Sequence, residues 1–140
     1  MTRPAAAVGL IVLGLTLATV RGSFGGGQDE EIVFVQTASL VRHRDLAFDT
    51  AEVAEVAAQA LGPAQDGRHY AVYGPAQALA ATPLYLAGSL AARLTGGGRA
   101  TVVRWVGGFN PLVTALTAAL LCLWLLALDL GRPVALATSL

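Results

Sequence analysis

Lysine is absent from this 140-residue chain, and charged residues of all kinds make up 13% of it, against roughly 25% in ordinary soluble domains. The positive charge is carried by arginine alone and is balanced by an equal number of acids, so the formal net charge is zero. No basic stripe is left to follow a nucleic-acid backbone. The single cysteine, Cys122, excludes an intrachain disulfide and sits in an apolar run, where a thiol behaves as a small hydrophobe. The two histidines, His43 and His69, lack a second His or Cys at ligand spacing, so they read as surface residues rather than zinc ligands. Gly25-Gly26-Gly27 has neither GxGxxG nor Walker spacing and no following lysine, and no Gly-x-Ser-x-Gly occurs. These absences remove nucleotide cradles and nucleophile elbows.

What is abundant is hydrophobicity, at 55% of residues, gathered into a few long runs. Residues 4–20 (PAAAVGLIVLGLTLATV) are uncharged between Arg3 and Arg21. At 1.5 Å per residue they reach about 26 Å, barely enough for a ~30 Å hydrocarbon layer and at the lower limit of length for a span. The basic n-region and small-x-small site of a cleaved signal peptide are missing, so this run is expected to be a retained transmembrane helix. Residues 109–128 are uncharged over a full span, and Gly131-Arg132-Pro133 then makes a turn before a final apolar run begins. The expected fold is an all-α membrane protein with two transmembrane helices, the start of a third, and a long external loop carrying amphipathic interfacial helices. Its parts are residues 1–20 (cytoplasmic N-terminus and first span), 21–108 (external loop), 109–130 (second span) and 131–140 (cytoplasmic turn and start of the third). Arg3 and Arg132 set that orientation by the positive-inside rule, while the seven arginines of the long loop weigh little.

Within the loop, Ile32, Phe34, Val35, Ala38 and Val41 have helical spacing behind an acidic start. A second helix is expected over 49–61. Asp49 and Glu52 stand at capping-box spacing, Val53, Val56, Ala57 and Ala60 form one apolar face, and Gly62-Pro63 is a stop signal. Asp66-Gly67 marks a turn. Residues 76–94 are apolar but interrupted by Gln77, Pro83, Gly88 and Arg93, which suits a helix lying along the interface, with Tyr70, Tyr73 and Tyr85 at headgroup level.

The acidic cluster Gln28-Asp29-Glu30-Glu31 follows directly on the first apolar run. Carboxylates delivered to the membrane surface suit chemistry on a lipid-linked substrate. Asp29 and Glu30, as neighbours on a helix, point about 100° apart and cannot both face one atom. One can act as a general base while the other meets a metal or a backbone donor. An N-terminal cluster that only solvates the helix start explains the same residues.

The cluster is followed by Thr37-Ala38-Ser39-Leu40-Val41, Asp45-Leu46-Ala47-Phe48-Asp49, Asp66-Gly67-Arg68-His69-Tyr70, Tyr73-Gly74-Pro75-Ala76-Gln77-Ala78-Leu79 and Pro83-Leu84-Tyr85. In this order of parts the chain resembles the N-terminal portion of bacterial integral-membrane C-type glycosyltransferases, relatives of protein O-mannosyltransferases and aminoarabinose transferases. The resemblance implies transfer of a sugar from a polyprenyl-phosphate donor to an acceptor outside the cytoplasmic (inner) membrane. Asp29 would be the catalytic base and Glu30 its support. Tyr70, Tyr73 and Arg68 would contact the donor, and Asp29 and Glu30 would hold a divalent cation, Mg or Mn, if one is used. It also implies partner helices in a longer protein, the isolated chain being expected to be inactive. Val72 stands where relatives often have lysine, and Ala76 where the usual run has glycine. A non-catalytic relative whose external loop binds a partner is the alternative. A transporter is disfavoured, because neither span carries a buried charge or paired helix breaks.

Overall fold

The computed structural model describes residues 2–21, 23, 28–56, 61–63 and 67–140. The chain is mostly helical, with seven helices and a three-stranded sheet among the described residues. It divides into two compact units, one of residues 1–20 with 108–140 and one of residues 21–107.

The first unit contains α1 (Thr2–Leu17), α6 (Phe109–Ala127) and α7 (Arg132–Ser139). Small side chains face inward. Ala5, Val8 and Val12 meet Ala115, Cys122, Leu125 and Ala135, and α1 lies so close to α6 that a Cβ on Gly9 would come within 3.2 Å of Ala119 Cβ. This small-on-small contact is how helices associate where bulk apolar burial gives no driving force. The largest apolar side chains point outward: Leu10 is 69% exposed, Leu120 64% and Trp124 62%. The hydroxyls of Thr16, Thr117 and Ser139 each donate to the carbonyl four residues earlier, at 2.7, 2.8 and 2.6 Å, so none needs a partner outside its own helix. Positive φ at Asp129 (60°) and Gly131 (80°) turns the chain from α6 into α7, and Pro133 occupies the first turn, where its missing N–H is not needed.

One helical stretch among the described residues, Gly98–Ala127, is long and apolar enough to cross a membrane, and only 22% of its apolar window is buried. That low burial sets it apart from the core helix of a globular domain. The other expected span is shorter than the sequence suggested. α1 ends at Leu17, and its sixteen residues reach about 24 Å at 1.5 Å each, short of the ~30 Å core. Two full spans are therefore not seen.

The second unit is built on α2 (Gln28–His43). Residues 32–39 are buried all round, although only one face was expected to be, because α4 (Ala76–Thr95), α5 (Gly98–Gly107), α3 (Thr50–Glu55) and β1 (Ala47–Phe48) pack around the helix. Three acids open α2 and Arg42 and His43 close it, which complements its dipole at both ends. Buried hydroxyls fix its neighbours: Ser39 donates to Ala47 O at 2.8 Å, and Thr37 to Val33 O at 2.6 Å and Ala78 O at 3.4 Å. Tyr85 faces inward against Phe34, ring centroids 5.8 Å apart, which corrects its expected place at the headgroup level. α4 and α5 approach through Gly88, where a Cβ would meet Trp105 Cβ at 2.7 Å.

The sheet was not expected. β3 (His69–Ala71) lies between β1 and β2 (Leu61–Pro63), antiparallel to both, with Tyr70 opposite Ala47 and Gly62. The helix expected over 49–61 is only α3. Its capping box forms, with Glu52 N–H donating to Asp49 and Asp49 N–H to Glu52. The buried Val56 then turns extended and ends the helix. Gly62 and Pro63 belong to β2, an edge strand, where a residue without an N–H is tolerated. Ala57, Ala60 and Asp66 lie outside the described residues.

Candidate functional site

Asp29 stands in the first turn of α2 and Tyr73 in the segment between β3 and α4, 44 positions later. The sheet and the packing of α4 on α2 bring them together, and the Tyr73 hydroxyl donates to Asp29 Oδ1 at 3.0 Å. Both are exposed, Tyr73 at 49%. The phenol's pKa is raised, first by the hydrogen bond it donates to Asp29 and then by that carboxylate's negative charge. Tyr73 thus remains a proton donor, and its bond fixes the plane of the carboxylate while using one of the two oxygens. Asp29 makes no other side-chain hydrogen bond among the described residues. A carboxylate oriented in this way at a water-facing helix start can accept a proton from a hydroxyl placed against its second oxygen.

The remaining expected site residues lie differently. Arg68 is held by Asp45, whose Oδ2 is 2.6 Å from Nη1, and lies over the Tyr70 ring at 5.6 Å. Asp45 also accepts from Leu46 N at 2.7 Å and Ala47 N at 3.1 Å. Its pKa is lowered, chiefly by the Ala47 N–H, with Leu46 and Arg68 adding to the effect against some desolvation. Arg68 and Tyr70 therefore brace the turn into β3. Glu30 is exposed beside Asp29. Asp29 and Glu30 belong to no group of three ligand-type side chains among the described residues.

Two features escaped the sequence. A cavity of about 520 Å³ between α2, α4 and α5 is lined by apolar residues including Phe34, Tyr85 and Leu86 and by Arg42, Arg93 and Arg99, with the Arg99 guanidinium over the Phe34 ring at 5.3 Å. Its chemistry suits an anionic head on an apolar body. The only sequence signal for it was an arginine near the end of each of two helices, which dipole complementarity explains equally well. Arg42 lies thirteen residues along α2 from Asp29, or about 20 Å, so one small group cannot touch both. The other feature is a cluster of His43, Asp49 and Glu52, whose ligand-type atoms lie within 4.8 Å of one another.

No family model, curated protein or solved structure matches the chain.

Proposed function

We propose that this chain carries the catalytic loop of a membrane glycosyltransferase, with Asp29 as general base. The observation that supports this reading is the Tyr73–Asp29 hydrogen bond, which orients a carboxylate at the entrance of a loop flanked by apolar helices. In the proposed reaction the acceptor O–H or N–H gives its proton to Asp29 as the acceptor atom bonds to the anomeric carbon. The bond from that carbon to the phosphate oxygen breaks, and polyprenyl phosphate leaves with the electron pair. The outward Leu and Trp side chains of α1 and α6 give a lipid tail a compatible surface. The proposed setting is the cytoplasmic membrane of a bacterium, with the loop facing outside. The proton transfer is carried by Asp29 alone, and Asp29 and Glu30 would hold a divalent cation if one is used.

The second reading, a non-catalytic relative whose loop binds a partner, is favoured by one observation. The arginines suited to an anion lie near the far end of α2, and Arg68 is already engaged by Asp45. Asp29→Asn tests the base, because asparagine keeps the shape of aspartate and an oxygen for Tyr73 to donate to but cannot take up the proton. Sugar transfer from a polyprenyl-phosphate donor is measured in membranes, in the protein that carries this segment. The expected loss is ~10²- to 10⁴-fold at unchanged accumulation, with Glu31→Gln nearly silent. Transfer by Asp29→Asn at near wild-type rate would remove Asp29 as the base, and absence of transfer by the wild type supports the second reading.

A further inference from the structure

We propose that His43, Asp49 and Glu52 form a binding site for a divalent transition-metal ion of the zinc class, independent of the glycosyltransferase reading. His43 is the last residue of α2, Asp49 is the N-cap of α3, and Glu52 is three residues further on. The intervening segment turns back through a positive φ of 57° at Arg44 and the two-residue β1, which returns the chain to the end of α2.

The capping box determines where the carboxylates point. Glu52 N–H donates to Asp49 Oδ1 at 2.8 Å, and Asp49 N–H donates to Glu52 Oε2 at 3.0 Å. One oxygen of each carboxylate is thereby used in holding the helix start. The other oxygen of each faces the same imidazole nitrogen: Asp49 Oδ2 is 3.5 Å and Glu52 Oε1 3.8 Å from His43 Nε2.

A separate observation points to a ligand. Glu52 is only 5% exposed, and its Oε1 is buried with no hydrogen-bond partner among the described residues. A buried acceptor normally finds a donor. Here the atom is aimed into the space shared with His43 Nε2, at a distance too long for a hydrogen bond. A cation seated between the three atoms satisfies it.

The spacing fits a metal. Bonds of ~2.0–2.1 Å in tetrahedral geometry put ligand atoms about 3.3–3.4 Å apart, close to the 3.5 and 3.8 Å from His43 Nε2 to the two carboxylate oxygens, and all three atoms already lie within 4.8 Å of one another. One imidazole with two carboxylates suits Zn²⁺ or its first-row neighbours better than Mg²⁺, which prefers an all-oxygen shell. The exposed side chains of His43 and Asp49 leave the fourth position to water. Sequence reading set His43 aside for want of a second His or Cys. The missing ligands are the carboxylates six and nine residues later, which the sequence presents only as a helix cap.

The test uses the full chain in detergent, stripped with EDTA and titrated with Zn²⁺ by calorimetry at pH 7.5, with Co²⁺ absorbance as a spectroscopic reporter. The expected result is one Zn²⁺ per chain, with Kd on the order of 10 µM or tighter. His43→Ala and Glu52→Gln should each weaken binding by at least ~10-fold. The glutamine retains the capping-box acceptor, so far-UV circular dichroism should be unchanged. His69→Ala should bind as the wild type does, and excess Mg²⁺ should not compete. Absence of uptake at 100-fold higher Zn²⁺ means that His43 is simply an ion-pair partner of the two acids and overturns the proposal. So does binding that survives both His43→Ala and Glu52→Gln.

Discussion

Tyr73 shows at the scale of one residue what the structure adds to the sequence. The acidic cluster marked Asp29 as a candidate, but nothing in the spacing said which residue would reach it from 44 positions away. The partner depends on a sheet whose strands are two or three residues long, too short to show an alternating pattern. The contact has a measurable consequence. A phenol whose pKa is raised favours its neutral form in the folded state, so its contribution to stability is present below the unfolded value, near 10, and is lost as pH rises through the folded value. In a Tyr70→Phe, Tyr85→Phe background, alkaline titration of Tyr73 followed by phenolate absorbance should therefore have a high midpoint. Adding Asp29→Asn should move that midpoint down toward the ordinary range. An unchanged midpoint would mean that the hydrogen bond is not made.

At the scale of elements, the longest helices were legible because periodicity and composition agreed over many residues. The helix expected over 76–94 is α4, and the apolar run over 109–128 contains α6. The capping box at Asp49 and Glu52 was also legible, since it needs only local spacing. The length of α3 was not, because its end is set by burial of Val56 and by strand pairing with a segment further on. Gly88 shows a similar limit: in the sequence it interrupts a helix, whereas in the fold it lets α4 and α5 touch. Gly88→Ala should overpack that contact, where the new Cβ meets Trp105 and Val102, and cost about 1–3 kcal/mol. Gly74→Ala, whose Cβ meets nothing within 4 Å, should be close to neutral. Thermal denaturation in detergent compares the two, and equal midpoints would contradict the close approach.

For the molecule as a whole, composition separated apolar ends from a charged middle, and the two units divide at residues 20/21 and 107/108. Sidedness rests on Arg3 and Arg132 alone. With Cys122 replaced by alanine, a cysteine at position 69 should react with an impermeant maleimide in intact cells and one at position 132 should not. The reverse pattern would invert the topology.

The first unit places mostly small side chains, with Leu125, between its helices, and turns Trp124 and leucines such as Leu10 and Leu120 outside. A water-soluble bundle is organised the other way round, with its bulkiest side chains supplying the cohesion. Here the surrounding medium is effectively the outer layer of the structure. A polar residue in place of Leu10 or Leu120 removes no internal contact, yet it changes how well the chain matches its solvent. Sensitivity to substitution therefore extends from the interior, where Gly9 meets Ala119, to a periphery whose positions would tolerate almost anything in a soluble protein.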